Sequence, residues 1–375
     1  MGIRPTSEAE LADHVRGTNN PLRVVGGGTR FIGDVGPADA LETSGLSGVS
    51  LYEPGALTLV AQAGTPLSQI ETLLATEGQR LPFEVPDMRG LRAREGVSTI
   101  GGVVAANASG PRRVQVGACR DSLIGVRFVD GSGTIIKNGG RVMKNVTGYD
   151  LVKLMAGSHG TLGVLTEVSF KLLPIPEAAA TIMLYGLDTR AAVSAMAAAL
   201  GSPYEVSGAA HVSASAEGYP VTFLRIEGFA ASVAYRAAQL QTLLAGRGEL
   251  VLVTDRAQID RQWQSLRDVE TFHGTVEDVW RISVKPSDAP DIIDAMPDHA
   301  RVCLDWGGGL IWAAVDPNTD LRAAIAPFSG HATRVRGDMQ DGIAAFQPEP
   351  LVLAALAKGL RAKFDPRGVL NPGLM

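Results

Sequence analysis

Residues 7–16 (SEAELADHVR) predict a helix with Thr6 or Ser7 as its cap. A short apolar run, Leu22–Val25, reads as a strand that enters Gly26-Gly27-Gly28-Thr29-Arg30 directly. Leu57–Ala63 is a second strand, turned at Gly64; Thr65 then caps a helix with Pro66 at its first position and Gly78 at its end. Residues 81–86 (LPFEVP) are extended, because the residue before a proline avoids the helical region. Val126–Val129 and Thr134–Lys137 flank Asp130-Gly131-Ser132-Gly133, the pattern of a hairpin. A short helix over 148–155 and a mixed strand over 163–173 follow, and Pro174 and Pro176 mark a domain boundary.

Beyond that boundary strands and helices alternate in a recurring order. Thr181–Tyr185, Glu205–Val212, Val221–Phe229 and Glu249–Thr254 read as strands, with helices at Thr189–Leu200 and Ala230–Ala245. That is the β-α-β-β-α-β order of a ferredoxin-like unit. After a connecting helix at Gln258–Phe272 the order repeats. Strands fall at Val279–Val284, Arg301–Trp306, Leu310–Val315 and Thr333–Arg336, and helices at Ala289–Met296 and Asp320–Ala326. The repeat is one of pattern and not of residues. Two such units side by side make one antiparallel sheet with helices on one face. A last helix, Pro350–Phe364, leads into Asp365-Pro366-Arg367-Gly368, whose style matches the first half. The expected division is therefore 1–176, a cap at 177–345, and a segment at 346–375 that returns to the first domain.

Glycine is over-represented. It supplies 44 of 375 residues, against a usual share of roughly 7%, and residues 96–163 hold 14 in 68 positions. Apolar runs separate these glycines, so the stretch is folded core with bare loops. Such loops suit a backbone lying directly against a large phosphate-bearing cofactor. A net charge of −5 with no basic block argues against nucleic acid. The polar start and the lack of any 18-residue apolar run predict neither signal peptide nor membrane span. Cys119 and Cys303 match no metal or redox spacing, so this chain holds no iron–sulfur cluster and a reducing cytoplasm suits it.

Val24–Thr29 follows a strand, and its successive bare amides form a candidate anion nest; a plain turn is the alternative. It is neither the dinucleotide fingerprint, which opens a long helix, nor a phosphate loop with Gly-Lys-Ser/Thr. Gly101-Gly102 with Asn107, Ser109 and Gly110 forms a second bare segment, with close helix–strand packing as its alternative. Gly157–Gly163 forms a third, in which His159 reads better as a loop residue than as a base.

In succession, GGGT at 26–29, TIGGVVAANASG at 99–110, RDSLIGVRFVDGSG at 120–133, the 147–174 segment beginning TGYDLVKL, and FDPRGVLNPG at 364–373 closely resemble the vanillyl-alcohol-oxidase (PCMH-type) FAD-binding proteins. The resemblance implies an α+β fold: an FAD-binding domain of two α/β subdomains, with extended FAD between them, plus the duplicated ferredoxin-like cap. It implies pyrophosphate contacts from Gly26, Gly27, Gly28, Thr29, Gly101 and Gly102. Asn107, Ser109 and the backbone of Gly160, Thr161, Gly163 and Val164 would follow the pyrophosphate and adenine. Asn371 would reach the flavin end, and Pro82 would lie on the extended segment. No histidine stands in the first glycine loop, and Cys119 lacks the usual attachment context, so the FAD is expected to be non-covalent.

The compact second half, with Arg281-Ile282-Ser283-Val284 and Asp305-Trp306-Gly307-Gly308-Gly309, is similar to the E-type FAD-binding subunits of bacterial glycolate oxidase (glycolate dehydrogenase). That resemblance implies a larger FAD-binding catalytic subunit and an iron–sulfur subunit as partners, with peripheral placement at the inner membrane face through them. Larger relatives carry paired cap histidines for a metal. The six histidines here lie at least 26 residues apart, so no metal is expected.

Oxidising a 2-hydroxy acid needs a clamp for its carboxylate and a base. Strand period places Arg281, Ser283 and Lys285 on one face, Arg225 and Glu227 on another strand's matching face, and Asp305 opposite Leu304. Arginine's fork suits a carboxylate, making Arg281, with Lys285, the candidate substrate contact. The alternative is that this face is solvated. Three functions follow: a glycolate-oxidising subunit working with partners, a self-sufficient hydroxy-acid oxidase, or an assembly subunit with structural FAD.

Overall fold

The computed structural model describes residues 2–140, 148–215, 218–338 and 341–374. Residues 141–147 of the glycine-dense stretch, including the Thr147 that opens its TGYD motif, lie outside the described residues.

The helix Glu8–Gly17 forms where expected, and the Ser7 hydroxyl caps it by accepting from the Glu10 amide at 3.2 Å. It packs on a parallel pair, β1 (Leu22–Val25) and β2 (Asp39–Glu42). Leu11, Ala12 and Val15 bury one side of the helix with Leu22, Leu41 and the tail residues Val369 and Leu370. The tail also extends the pair. The Leu22 amide donates to the Val369 carbonyl at 2.7 Å, and the Asn371 amide donates back to the Leu22 carbonyl at 2.9 Å. Arg367 clips it further by donating to the carbonyls of Val15, Thr18 and Gly131.

Next come β3 (Val49–Glu53), β4 (Thr58–Gln62), β5 (Gln79–Arg80), β6 (Leu123–Val129), β7 (Ile135–Gly139), β8 (Val164–Lys171) and β9 (Leu173–Pro174). Five of them form an antiparallel sheet in the order β3-β4-β8-β6-β7, while β5 and β9 make a two-residue ribbon. The hairpin at Asp130–Gly133 is present; Asp130 accepts from the amides of Ser132 and Thr134, both at 2.9 Å. Thr65 does not cap the helix Leu67–Ala75. Its hydroxyl donates to the Gln62 carbonyl at 2.7 Å and accepts from the Gly48 amide, tying the turn after β4 to the loop before β3, and Pro66 takes the cap position.

The cap strands are β10 (Ala178–Tyr185), β11 (Val206–Val212), β12 (Val221–Gly228), β13 (Glu249–Val253), β14 (Asp278–Val284), β15 (Arg301–Asp305), β16 (Leu310–Val315) and β17 (Gly330–Arg336). They form one antiparallel sheet ordered β13-β10-β12-β11-β15-β16-β14-β17. Each half has the ferredoxin-like order, and the halves join where His211 of β11 faces Leu304 of β15. Helices Thr189–Leu200, Ala230–Leu244 and Ala289–Asp294 cover one face through Met196, Leu240 and Ile292.

The second face is partly covered. The connecting helix Arg256–Asp268 lies across part of it, with Trp263 Nε1 donating to Thr181 Oγ1 at 2.9 Å. Gly208 admits the indole: a Cβ there would stand 2.6 Å from the ring, and the β11 register slips at this point. Leu91 of the first half packs against the same sheet beside Trp306 and Trp312. The C-terminal helix Leu351–Phe364 contrasts with all this. It has no buried residue, and Leu351, Val352, Leu353 and Leu356 are exposed along it.

Candidate active site

The three glycine segments converge. Val24–Phe31, Ala63, Thr99, Gly101, Gly102, His159, Gly160, Gly163 and Leu165 line one cleft. Where β1 ends, the amides of Gly27, Gly28 and Thr29 donate to no other described residue. Backbone amides left unspent in a folded protein call for a partner. Gly28 sits at φ +74° with open space where a Cβ would stand, so the loop can turn its amides toward the cleft. Arg30 adds a cation. Its guanidinium donates to Ser98 Oγ and the Pro86 carbonyl, both at 2.6 Å, while its buried Nε has no partner among the described residues. Burial lowers its pKa to about 10, so it remains charged at neutral pH. Successive free amides beside a fixed guanidinium form a site for a phosphate-bearing anion.

The glycines line this cleft for more than one reason. A Cβ on Gly26 would strike the Thr99 hydroxyl, and one on Gly27 would overlap the Val97 carbonyl, because segment 96–99 lies directly on the loop. Gly101 is packing glycine: its amide donates to the Ala63 carbonyl at 2.7 Å, and a Cβ would meet that of Ala63 at 2.7 Å. The Gly102 amide reaches Thr99 Oγ1 at 3.4 Å. Gly160, at φ +73°, faces Asn371 Nδ2, and Gly163 faces the Phe128 ring.

Several expected cofactor contacts also carry structural duties. Asn107 Oδ1 accepts from the Arg120 amide, and Ser109 Oγ accepts from the Cys119 amide at 3.0 Å. Both side chains therefore hold their own loop together. Pro82 is buried in the core and its carbonyl faces the Arg112 guanidinium. Thr161 Oγ1 donates to the Ser158 carbonyl at 2.7 Å, and Val164 packs with Leu22 and Leu370. Asn371 is buried with both ends of its amide taken, Oδ1 by the Val24 amide at 2.8 Å and Nδ2 by the His159 carbonyl at 2.7 Å. It positions two walls of the cleft. His159 itself, at φ +51°, packs edge-on against Phe346; burial, then the nearby Arg281, lowers its pKa to about 4 and keeps it neutral.

Arg225 and Glu227 are not presented to a cofactor. Arg225 donates to both oxygens of Glu84 at 2.7 and 3.0 Å, and Glu227 accepts from Arg112 at 2.9 Å and Arg80 at 2.8 Å. Glu84, Arg112 and Arg80 come from the first half, so these pairs weld cap to FAD side. Burial alone would raise Glu84, but Arg225 and Arg112 outweigh it and hold its pKa at about 2. Asp305 is also turned inward. It accepts from the Trp306 amide at 2.7 Å, and burial pushes its pKa up to about 7. Among the described residues no group of three or more His, Cys, Asp or Glu could hold a metal, and no helix is long and apolar enough to cross a membrane.

A family model described as an FAD binding domain matches residues 2–139. Over 359 residues, covering 95% of this chain and 92% of the relative, the sequence is 35% identical to the glycolate oxidase subunit GlcE of Escherichia coli (strain K12). The chain belongs to the GlcE family. The glycolate oxidase subunit GlcD of Bacillus subtilis (strain 168) is 34% identical over 166 residues, 44% of this chain and 34% of that one. Among solved structures, an alkyldihydroxyacetonephosphate synthase matches with a TM-score of 0.72 over 99% of this chain and 76% of its own, at 15% identity, which is a likeness of fold.

This GlcE-family chain is thus an FAD-binding protein of an oxidoreductase family, and its α+β architecture is that of PCMH-type proteins. The unspent amides and the orphaned Arg30 Nε fit the charged part of the cofactor. Of the two expected substrate contacts, Arg281 lies over the Trp306 ring at 5.1 Å. Lys285 does not join it: the side chain is exposed beyond the end of β14 and pairs with Asp288 at 3.6 Å. Arg30 was not legible as a site residue, although its place directly after the glycine run was a usable signal.

Proposed function

We propose that this chain is the FAD-binding subunit of a glycolate oxidase (glycolate dehydrogenase), oxidising glycolate to glyoxylate and passing electrons through its flavin to an iron–sulfur subunit, alongside a larger FAD-binding subunit. The observation that carries this reading is the end-to-end match to a glycolate oxidase subunit in a chain whose cleft offers unspent amides beside Arg30. Gly27, Gly28, Thr29 and Arg30 would hold the pyrophosphate. FAD, when bound, supplies the two-electron acceptor for the C–H bond of the acid. Arg281 binds the carboxylate and the half-buried walls exclude water. Cys119 is fully buried and its thiol pKa is pushed up by that burial, which supports a flavin held without a covalent bond. The exposed apolar row Leu351, Val352, Leu353 and Leu356 supports a partner surface, because contiguous apolar patches on soluble proteins commonly mark interfaces. The division into an FAD domain at 1–176, a cap at 177–345 and a returning segment at 346–375 belongs to the same proposal, as does peripheral membrane placement through partners.

Purification from the native host, with co-eluting chains identified and a visible spectrum taken, tests it. Flavin absorbance that bleaches with glycolate in the presence of the partners, and a colourless pellet after acid precipitation, are the expected results. Bleaching by the isolated chain would favour a self-sufficient oxidase, and a flavin that never cycles would favour a structural role.

A further inference from the structure

Arg113 opens the short helix Arg113–Val116 on the FAD side, and Arg281 lies at the middle of β14 in the cap. Both guanidiniums rest on the same indole: Cζ of Arg113 is 4.4 Å and Cζ of Arg281 5.1 Å from the Trp306 ring centroid. Trp306 itself bridges the two halves, with Nε1 donating to the Gly110 carbonyl at 3.0 Å. We propose that Arg113 and Arg281, braced on Trp306, form a clamp for the carboxylate of a small hydroxy acid. This rests on the oxidoreductase reading above and adds a second arginine, from the opposite half of the molecule, to its substrate contact.

The guanidinium of neither Arg113 nor Arg281 has a hydrogen bond or ion pair with another described residue, although both side chains are half-buried. Neighbouring interface arginines are paired with acids: Arg80 and Arg112 with Glu227, Arg225 with Glu84. Guanidiniums stacked on an aromatic face keep their N–H donors free at the edge, so a ring holds them in place without using them up. The nearby acid, Asp305, spends an oxygen on the Trp306 amide, and burial raises its pKa to about 7, so it carries only part of a charge at neutral pH. Two guanidiniums outweigh it, and the field here is positive. Burial, and then Arg113, lowers Arg281 to about 10, and His331 is lowered by burial, then by Arg281 and Arg113. A carboxylate can accept from both forks at once, which discharges the repulsion and satisfies the donors together.

The FAD-loaded protein is titrated with oxalate, a carboxylate probe with no hydroxyl carbon to oxidise, and followed by calorimetry and by the flavin difference spectrum. Wild type should bind saturably, and Arg113→Met and Arg281→Met should each weaken binding by about tenfold or more. Arg247→Met, at an exposed position, should not. Thermal melting and flavin content show whether each variant is folded. If Arg113→Met is not folded, Arg113→Lys, which keeps charge but loses the fork, takes its place and should still weaken binding. Unchanged oxalate affinity in folded variants at both positions overturns the clamp, as does a preference for inorganic phosphate over oxalate. If oxalate needs both arginines yet glycolate never reduces the flavin with partners present, the clamp stands and the oxidoreductase reading falls. If glycolate reduces the flavin equally well in both variants, the clamp falls and the reading stands.

Discussion

Arg225 is buried between two carboxylates, and replacing it tests how cap and FAD side are joined. Arg225→Met keeps much of the stem that packs on Trp263, whose ring centroid lies 4.4 Å from Cζ, but removes the charge. Glu84 loses both of its hydrogen bonds to this residue, and Glu227 loses a cation at 3.5 Å. Glu84 then keeps Arg112, at 3.3 Å, as its ion-pair partner, while Glu227 keeps Arg112 and Arg80. Breaking a buried pair by removing one partner costs about 3–5 kcal/mol. A protein of this size melts lower by about 2 °C per kcal/mol, so the expected fall is roughly 6–10 °C. The pH dependence has a definite sign. Glu84 titrates in the folded protein near 2, below its ordinary 4.5, so its stabilisation is present above about 4.5 and lost as pH falls toward 2. Losing Arg225 raises that folded pKa and forfeits the stabilisation. The gap between wild type and variant should therefore be widest near neutrality and shrink below about pH 4. Melting curves at both pH values, with released flavin as a second signal, measure it. A fall under about 2 °C near neutrality, or one unchanged in acid, would refute the weld.

Other outcomes follow from single groups. Gly27→Ala should displace segment 96–99, because its Cβ would overlap the Val97 carbonyl, and should lower the flavin-to-protein absorbance ratio; full flavin retention would sink this reasoning. Arg30→Met should leave the fold standing but weaken FAD binding by about tenfold, as expected for losing a charge-assisted contact, when measured by fluorescence titration of the apoprotein. Asp305→Asn keeps an acceptor for the Trp306 amide and removes the ionisation. A folded carboxylate pKa raised to about 7 costs stability as pH rises from about 4 through 7, so the variant should lose that decline in a melting-temperature profile against pH.

Much of the fold was present in local pattern. The cap strands and helices follow from period and from turn residues, and the ferredoxin-like order is visible twice because each unit's elements are long and clean. The strands β2 and β3 escaped, since DALE and VSLYE carry no such period and pair only because Leu22, Leu41 and Leu59 are brought into cores around them. For the site, the glycine runs marked where backbone must lie bare, and glycine's missing Cβ is a local property of the residue. Which glycine faces a ligand and which faces its own chain was not local. Gly101 answers to Ala63, Gly27 to Val97, and Asn371 to Val24 and His159, partners as many as 347 positions away.

Composition and periodicity, then, were enough for the element types and the bare loops. Tertiary structure alone decided the electrostatics. Strand alternation put Arg225, Glu227 and Arg281 on polar faces, but alternation says only which side of a sheet a residue takes. Glu84 and Arg112 reached the first two from the other half of the molecule and spent them as structure. Among the described residues no acid forms an ion pair with Arg281, which met Arg113 over Trp306 instead. A charge's role is set by what closes over it, and that is known only once distant segments have packed.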